Sequence, residues 1–433
     1  MKKTLIISYT FPPIIAGGTW RAFKFVKYLP ENNIMVDVLT SEIYEGQVKD
    51  DTLLYELDTS VNIYRVRDRF LNEKSIQFRQ ELYTGIGDKL KRRKISIKNR
   101  LLLLIRNNIL LPDTSILWCV KIFFKTLFLN YKKKYDVIFI TSPPFSLLVL
   151  GFWIKKILKI KIIIDFRDPW TQWFNTVASY ESKVRKRFGH WMEKKVIIKA
   201  DKVITTTPGM TQYLLKYVDD NDKIKISTIY NGADPEDFSD IEPYNFKKYT
   251  IVYTGLLNET FYSPLTLIEV LKDLKKSKPE LSDQFQLLIL GPINRSISEI
   301  LISNNLDDII IMKGILDHST VIEYILGADL LLLLLSEGFT DYFTISGKLF
   351  EYIMSQNEIL ALIPKKSAAG EILSEYSRAS IINPNDFSEI TNFLLNWLNG
   401  KYSLKLNAID ESIMSKFNRK KQADELSIII KNL

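Results

Sequence analysis

The sequence predicts an α/β fold of two domains, each a parallel β-sheet wrapped in crossover helices. Three observations lead there. The chain has 433 residues, more than one hydrophobic core ordinarily serves. Short β-type runs alternate with helical stretches from end to end, the pattern of repeated βαβ units. The alternation pauses once, between Asp234 and Tyr249, where Asp234-Pro235 and Glu242-Pro243 punctuate polar sequence, and then begins again.

In the first half, strands are predicted at Leu5–Tyr9, Met35–Leu39, Ile63–Val66, Val137–Thr141, Ile162–Asp165, Val203–Thr206 and Ile226–Ile229. Helices are predicted at Trp20–Leu29, Phe145–Leu158, Ser182–Lys199 and Met210–Tyr217. The second half gives strands at Thr250–Tyr253, Gln286–Leu290, Ile309–Met312, Leu330–Leu335, Ile359–Leu362 and Ser380–Ile382. Its helices are predicted at Leu265–Lys276, Ile297–Asn304, Thr320–Leu326, Lys348–Met354, Ala369–Tyr376 and Phe387–Leu398. Domain boundaries are placed at 1–235 and 236–409, with 410–433 a C-terminal helix packing back on the first domain. Each half reads as a Rossmann-like domain. Open α/β sheets bind ligands beyond the carboxyl ends of their strands. Two such sheets facing one another would form a central cleft suited to a two-substrate reaction.

Apolar residues make up 46% of the chain and charged residues 25%, ordinary for a soluble globular protein. Cys119 is the only cysteine, which excludes an internal disulfide and a multi-cysteine metal site. The two histidines, His190 and His318, cannot build a histidine-rich zinc site. Met1-Lys2-Lys3 and the apolar stretch to Thr10 imitate a signal peptide. Pro12-Pro13 and Gly17-Gly18 follow at once, so the segment reads as a first strand running into a loop. No apolar run approaches the ~20 residues that span a bilayer. A cytoplasmic protein, peripheral on the inner face of the cell membrane, is expected. Residues 1–235 hold 40 Lys and Arg against 23 Asp and Glu, a net +17; residues 236–433 hold 19 against 27, a net −8. A basic half calls for an anionic partner: membrane surface, nucleic acid or phosphorylated substrate.

Five motifs carry chemistry. The first strand leads into Phe11-Pro12-Pro13-Ile14-Ile15-Ala16-Gly17-Gly18 and a helix carrying Arg21. A glycine loop at a helix N-terminus offers amides to phosphate, or serves as a tight strand-to-helix turn. It is neither a Walker A motif nor Gly-x-Gly-x-x-Gly. Thr141-Ser142-Pro143-Pro144 follows a strand and starts a helix. Asp165-Phe166-Arg167-Asp168-Pro169-Trp170 ends another strand, where its charges either pair internally or meet substrate. Lys89 to Arg106 holds eight basic residues and no acid, among them Lys91, Arg92, Arg93 and Lys94. That suits a basic amphipathic helix on anionic lipid, or a solvated helix packed on its own domain. No nucleic-acid module accompanies it, so nucleic acid is not expected. Finally, Ser346-Gly347-Lys348-Leu349-Phe350-Glu351-Tyr352 follows the Leu330 strand. Lys348 in a first helical turn wants an anion, which a diphosphate would supply. Glu351, one turn on, can accept a ribose diol.

At these residues the chain resembles glycosyltransferase family 4, the retaining enzymes of the GT-B fold, and a bacterial polysaccharide-type branch of it. Leu111-Pro112-Asp113, Ala200-Asp201, Asn231-Gly232-Ala233-Asp234, Tyr253-Thr254-Gly255 and Ala328-Asp329 extend the resemblance along nearly the whole chain. It implies that the second domain binds a nucleotide-diphosphate sugar and the first a glycan or polyprenyl-linked acceptor. Glu351 matches the second glutamate of the family's paired-glutamate motif; Phe343 stands where the first would be. The basic residues that usually follow the glycine matching Gly255 are replaced by Leu256-Leu257-Asn258-Glu259. Lys348, Arg295 and Arg167 are the substitutes, with the Gly17-Gly18 amides.

The expected site is therefore Arg167, Asp168 and Lys348 for catalysis, with Glu351, Lys348, Gly347, Gly255 and Arg295 holding the donor nucleotide. Gly17, Gly18 and Arg21 form a phosphate or acceptor loop, Ser142 and Trp170 lie on the acceptor side, and Lys91, Arg92, Arg93 and Lys94 meet the membrane. The expected mechanism uses no protein nucleophile, no metal and no cofactor: cations, amides and helix dipoles stabilise the departing diphosphate while the acceptor hydroxyl attacks. Two other readings stand beside it, a non-catalytic homologue that binds nucleotide sugar or membrane, and a nucleotide-sugar epimerase of the same fold.

Overall fold

A computed structural model describes residues 1–44, 47–68, 108–175, 181–281, 283–338, 342–400 and 411–433. They form two compact units. The first takes the described residues up to Asn231 together with Arg419–Leu433, and the second runs from Gly232 to Asn418.

The first unit holds seven strands: β1 (Lys2–Ile7), β2 (Ile34–Ser41), β3 (Asn62–Val66), β4 (Val137–Ser142), β5 (Lys161–Phe166), β6 (Lys202–Thr205) and β7 (Ile226–Thr228). All pair in parallel, in the order β3-β2-β1-β4-β5-β6-β7. Strand β4 is buried along its whole length, as expected of a central parallel strand covered on both faces. The helices are α1 (Thr19–Tyr28), α2 (Ile116–Lys133), α3 (Ser146–Leu158), α4 (Lys183–Lys199) and α5 (Pro208–Leu215). Helix α3 lacks a cap of its own at Phe145. Asp113 supplies one from the preceding segment, accepting from the Ser146 amide at 3.1 Å and the Ser146 hydroxyl at 2.6 Å. The Leu111-Pro112-Asp113 motif therefore has a structural task.

The second unit holds β8 (Tyr249–Thr254), β9 (Phe285–Leu290), β10 (Ile310–Gly314), β11 (Leu330–Leu334), β12 (Ile359–Leu362) and β13 (Ala379–Ile382). Their order is β10-β9-β8-β11-β12-β13, again all parallel. The helices are α6 (Leu265–Ser277), α7 (Arg295–Ser303), α8 (His318–Gly327), α9 (Gly347–Ser355), α10 (Ala368–Ser374), α11 (Phe387–Leu398) and α12 (Glu411–Lys416). The five leucines of β11 are all buried, each worth about 1.5–3 kcal/mol of apolar burial.

Both units are thus Rossmann-like. In each, the strand order reverses next to the first strand, at β1/β4 and at β8/β11, and such reversals are where open α/β sheets bind ligands. Among the described residues, no helix is long and apolar enough to cross a membrane.

Helix α13 (Arg419–Asn432) belongs with the first unit. Ala423, Leu426 and Ile430 recur at helical spacing and enter the core that holds Ala22, Phe23 and Val26 of α1. Asn32 donates to Asp424 at 2.6 Å, and Gln422 donates to the Asn231 carbonyl at 3.1 Å. The stretch 410–433 is not one helix. Residues up to Asn418 stay with the second unit, because Phe417 packs on Phe350 at 5.0 Å and accepts the Ala233 amide at 3.0 Å. The unit boundaries accordingly fall at Asn231/Gly232 and Asn418/Arg419, four residues before the expected 235 and nine beyond the expected 409. Helix α2 is an element the sequence reading lacked. The basic stretch 89–106, with Lys91, Arg92, Arg93 and Lys94, lies outside the described residues.

The interior of the first unit carries an ion pair. Arg21 donates to Asp165 from Nε at 3.0 Å and from Nη2 at 2.8 Å, with both side chains essentially inaccessible to water. Asp165 also accepts from the Thr141 hydroxyl at 2.7 Å, and Arg21 Nη1 donates to the Tyr230 carbonyl at 2.7 Å. Removing one partner strands the other charge in the core. Arg21→Met should lower unfolding free energy by about 3–5 kcal/mol. Arg21→Met combined with Asp165→Asn should cost less than the two single changes added together. Urea titrations of the four proteins measure both quantities; strict additivity would show that the two groups do not interact.

Candidate functional site

At the carboxyl edge of the first sheet, the loops after β1, β4 and β5 are held together by one guanidinium. Arg167 donates from Nε to the Ser142 carbonyl at 2.9 Å, from Nη2 to the Pro143 carbonyl at 3.0 Å, and from Nη1 to the Gly18 carbonyl. Its own amide donates to Ser142 O, and its carbonyl accepts from the Thr206 hydroxyl. A Cβ on Gly18 would fall on the guanidinium, so glycine at this position makes room for Arg167. Burial pushes the Arg167 pKa down, against the opposing charges of Asp168 and Asp165.

The structure thus brings Gly18, Ser142 and Arg167 together, but in roles other than those expected. Arg21 was expected beside phosphate and is instead buried against Asp165. Ser142 and Trp170 were expected on the acceptor side. Ser142 is fully buried with its hydroxyl on the Asp165 carbonyl, and Trp170 is buried with its ring stacked on Phe145 at 5.3 Å. Asp168 is half-buried. Burial raises its carboxyl pKa, with Arg167 opposing and Asp165 reinforcing. Gly17 is exposed, and nothing lies within 4 Å of where its Cβ would be.

In the second unit the loops after β8 and β9 meet backbone to backbone. Gly255 has φ +96 and Gly291 φ +139, conformations that disfavour any side chain. A Cβ on Gly291 would lie 2.5 Å from the Gly255 carbonyl oxygen. The Gly255 amide donates to Leu290 O at 2.6 Å, and the Leu257 amide to Pro292 O at 3.0 Å.

Lys348, in the first turn of α9, lies next to Gly255: a Cβ there would be 3.3 Å from its ammonium nitrogen. That nitrogen donates to the Tyr253 hydroxyl at 2.8 Å and stands 4.1 Å and 4.6 Å from the centroids of Tyr253 and Tyr262. Among the described residues, no carboxylate comes within ion-pairing distance of it. Burial therefore pushes the Lys348 pKa down to about 7, with the charge of Glu351 opposing. Ser346 caps α9 without a side-chain hydrogen bond and the first turn holds no acid, so the helix N-terminus and the lysine in its first turn are both electropositive. Tyr352 anchors the helix, its hydroxyl accepting the Thr254 amide at 3.0 Å.

Glu351 is part-buried and meets His318 across 3.3 Å, Oε1 to Nε2. His318 opens α8 after Asp317, which caps it by accepting the Thr320 amide at 2.9 Å. Gly347 is exposed. Arg295 does not join this group; its side chain is 90% exposed and paired with Glu299 at 2.7 Å on α7. The loop that lacks the expected basic pair is organised by Asn258, whose Oδ1 accepts the amides of Thr260, Phe261 and Tyr262 at 3.0, 2.7 and 3.2 Å. That turn carries Tyr262 over Lys348. Gly291, Tyr253, Tyr262 and His318 were absent from the sequence-based site, and the Gly291 after an apolar strand was the one signal that could have flagged it.

Comparison with solved structures places this architecture. Sucrose-phosphate synthase from Thermosynechococcus elongatus superposes with a TM-score of 0.65 at 13% identity, covering 100% of this chain and 99% of that one. Anabaena Alr3699/HepE in complex with UDP-glucose gives 0.62 at 11%, covering 100% of both. A protein described as a UDP-N-acetylglucosamine 2-epimerase from Listeria monocytogenes gives 0.58 at 11%, covering 100% and 96%. No curated protein sequence matches the chain. The shared architecture is GT-B, two Rossmann-like domains in one chain. The profile of Glycosyltransferase Family 4 matches residues 15–237, more than half the sequence. The chain belongs to that family and is a glycosyltransferase.

Two substitutions test the loop geometry. Arg167→Ala removes the side-chain donor from three carbonyls, leaving Ser142 O only the Arg167 amide, and should lower unfolding free energy by about 3 kcal/mol. Gly291→Ala forces a Cβ onto the Gly255 backbone and should cost on the order of 2 kcal/mol or more. Thermal melts read both; a variant that melts with the wild type removes its residue from the scheme.

Proposed function

We propose that the second unit binds the diphosphate of a nucleotide-sugar donor between Lys348 and the N-terminus of α9. The carrying observation is a lysine in the first turn of α9, set against two tyrosine rings and, among the described residues, with no carboxylate within ion-pairing distance. Glu351 takes the ribose diol, exchanging or sharing its contact with His318. The first unit offers the acceptor, a hydroxyl of a glycan or polyprenyl-linked molecule. The Arg167 staple sets the loops around Gly17, Gly18 and Asp168 that face it.

In the reaction the acceptor oxygen bonds to the anomeric carbon as the bond to the diphosphate oxygen breaks, with the anomeric configuration retained. Lys348 and the amides of α9 neutralise the charge that develops on the departing phosphate, a task that calls for fixed donors rather than a protein nucleophile. A metal is not needed for that step, because a cation and a helix dipole already stand there. The net charge of −8 over residues 236–433 makes these local donors decisive, since the wider field repels a diphosphate. The enzyme works at the cytoplasmic face of a membrane in bacterial polysaccharide assembly. The net +17 of residues 1–235 and the eight basic residues from Lys89 to Arg106 support an anionic surface as its partner.

Lys348→Ala and Glu351→Gln should each weaken binding of a nucleoside diphosphate by about 10- to 100-fold without unfolding, as calorimetry would show; unchanged affinity in both removes the assignment. The lysine also sets a pH dependence. Its pKa of about 7 in the free protein must rise when an anion binds, so binding takes up a proton above that pH. Affinity should hold below pH 7 and fall as pH climbs above it, and Lys348→Ala should abolish that fall. Turnover should survive excess chelator. Loss of turnover restored by magnesium or manganese would overturn the metal-free step, and conversion of donor without acceptor would mark an epimerase.

A further inference from the structure

We infer that the outer faces of helices α2, α3 and α4 form the surface that docks the first unit onto an anionic lipid bilayer. This deepens the membrane reading above and rests on it.

The three helices lie side by side, α2 against α3 and α3 against α4. Helix α2 is well anchored: Trp118, Cys119, Ile122 and Leu129 are buried, and the Trp118 indole donates to the Val66 carbonyl at 2.9 Å. Its opposite face is apolar too. Phe124 is 64% exposed, Phe128 49% and Tyr131 83%, on one stripe at spacings of four and three residues. Trp153 on α3 is 44% exposed and Trp191 on α4 54%. Large aromatics are thus exposed on each of three adjoining helices, more than the scattered exposure of ordinary surfaces.

Charge selects the occupant. The three helices carry thirteen Lys and Arg and one acid, Glu193. That acid is buried, accepting from the Thr171 and Tyr217 hydroxyls. The lysines sit among the aromatics: Lys125 and Lys132 lie 5.5 Å and 4.6 Å from the Phe128 ring centroid, and Lys156 5.0 Å from that of Trp153. In a symmetric pair a second copy would bring the same basic face, which repels. A bilayer with anionic headgroups takes both parts. Aromatic rings settle at the headgroup level and lysines meet phosphate, the composition of interfacial helices.

The test is flotation of the full-length protein with vesicles of phosphatidylcholine alone and of phosphatidylcholine with an equal part of phosphatidylglycerol. The wild type should float with the mixed vesicles at low salt and release as salt rises. Lys125→Gln, Lys132→Gln and Lys156→Gln together should weaken this roughly fivefold per lysine. Phe124→Ser, Phe128→Ser and Trp153→Ser together should weaken it at least about tenfold, with circular dichroism and nucleotide affinity unchanged, because these side chains are exposed. If the wild type floats and both triple variants float equally well, this face is wrong and the membrane reading survives through other residues. If the wild type does not float with anionic vesicles, both fail. A lipid-free dimer that the Phe124, Phe128 and Trp153 variant converts to monomer would give the face to a second copy.

Discussion

Asp165 and Arg21 meet where water does not reach, and the loops of the first unit are arranged around that meeting. Strand β5 delivers Asp165 at its carboxyl end, in register with Thr141 of β4, which donates to it. Helix α1 delivers Arg21, which carries the link on to the Tyr230 carbonyl. Two residues beyond Asp165, Arg167 gathers the carbonyls of Gly18, Ser142 and Pro143. One short segment therefore fixes three strand ends with two guanidinium groups. A buried pair of this kind adds little to stability over an apolar isostere. What it adds is direction: fork-shaped donors accept few geometries, so the loops cannot drift independently.

The second unit solves its polar problem in the opposite way. There, among the described residues, no carboxylate ion-pairs with Lys348, and aromatic faces and a hydroxyl hold it. A cation against a ring is stabilised by the ring's quadrupole, enough to keep Lys348 in place but not to satisfy it. The first unit spends its carboxylate on structure, while the second keeps its lysine available. That contrast arises between two sheets whose first six strands follow the same order.

The sequence was most legible where burial decides. All thirteen strands were foreseen; central ones such as β4 and β11, buried along their length, read as apolar runs, while part-exposed ones such as β3 and β10 were read from shorter β-type runs. Helix α2 was missed for the converse reason: Phe124 and Phe128 on its outer face erase the periodicity that Trp118, Ile122 and Leu129 would otherwise write. The charged motifs were visible, but not their partners. Asp165-Phe166-Arg167-Asp168 announces that something at that strand end is paired; only the fold reveals that the partners are Arg21 and three backbone carbonyls. The missing basic pair after Gly255 looked like a loss. In the folded chain Asn258 closes a turn there and brings Tyr262 over Lys348, a substitution of ring for charge that spacing alone does not encode. His318 was noted only as one of two histidines, since its contact with Glu351 joins elements 33 residues apart.

The return of α13 to the first unit makes that unit discontinuous, with the described residues of the second inserted between Asn231 and Arg419. During synthesis the seven-stranded sheet emerges long before the helix that covers part of α1. Domains otherwise tend to fold in the order in which they leave the ribosome. Here the earlier one waits, with Phe23 and Val26 of α1 lacking the Ala423 and Leu426 that share their core, until the later one has been made. A nascent chain of this design carries an apolar groove through most of its translation. Chaperone contact and the spacing of ribosomes on the message should therefore bear on its yield more than the melting temperature of the finished enzyme does.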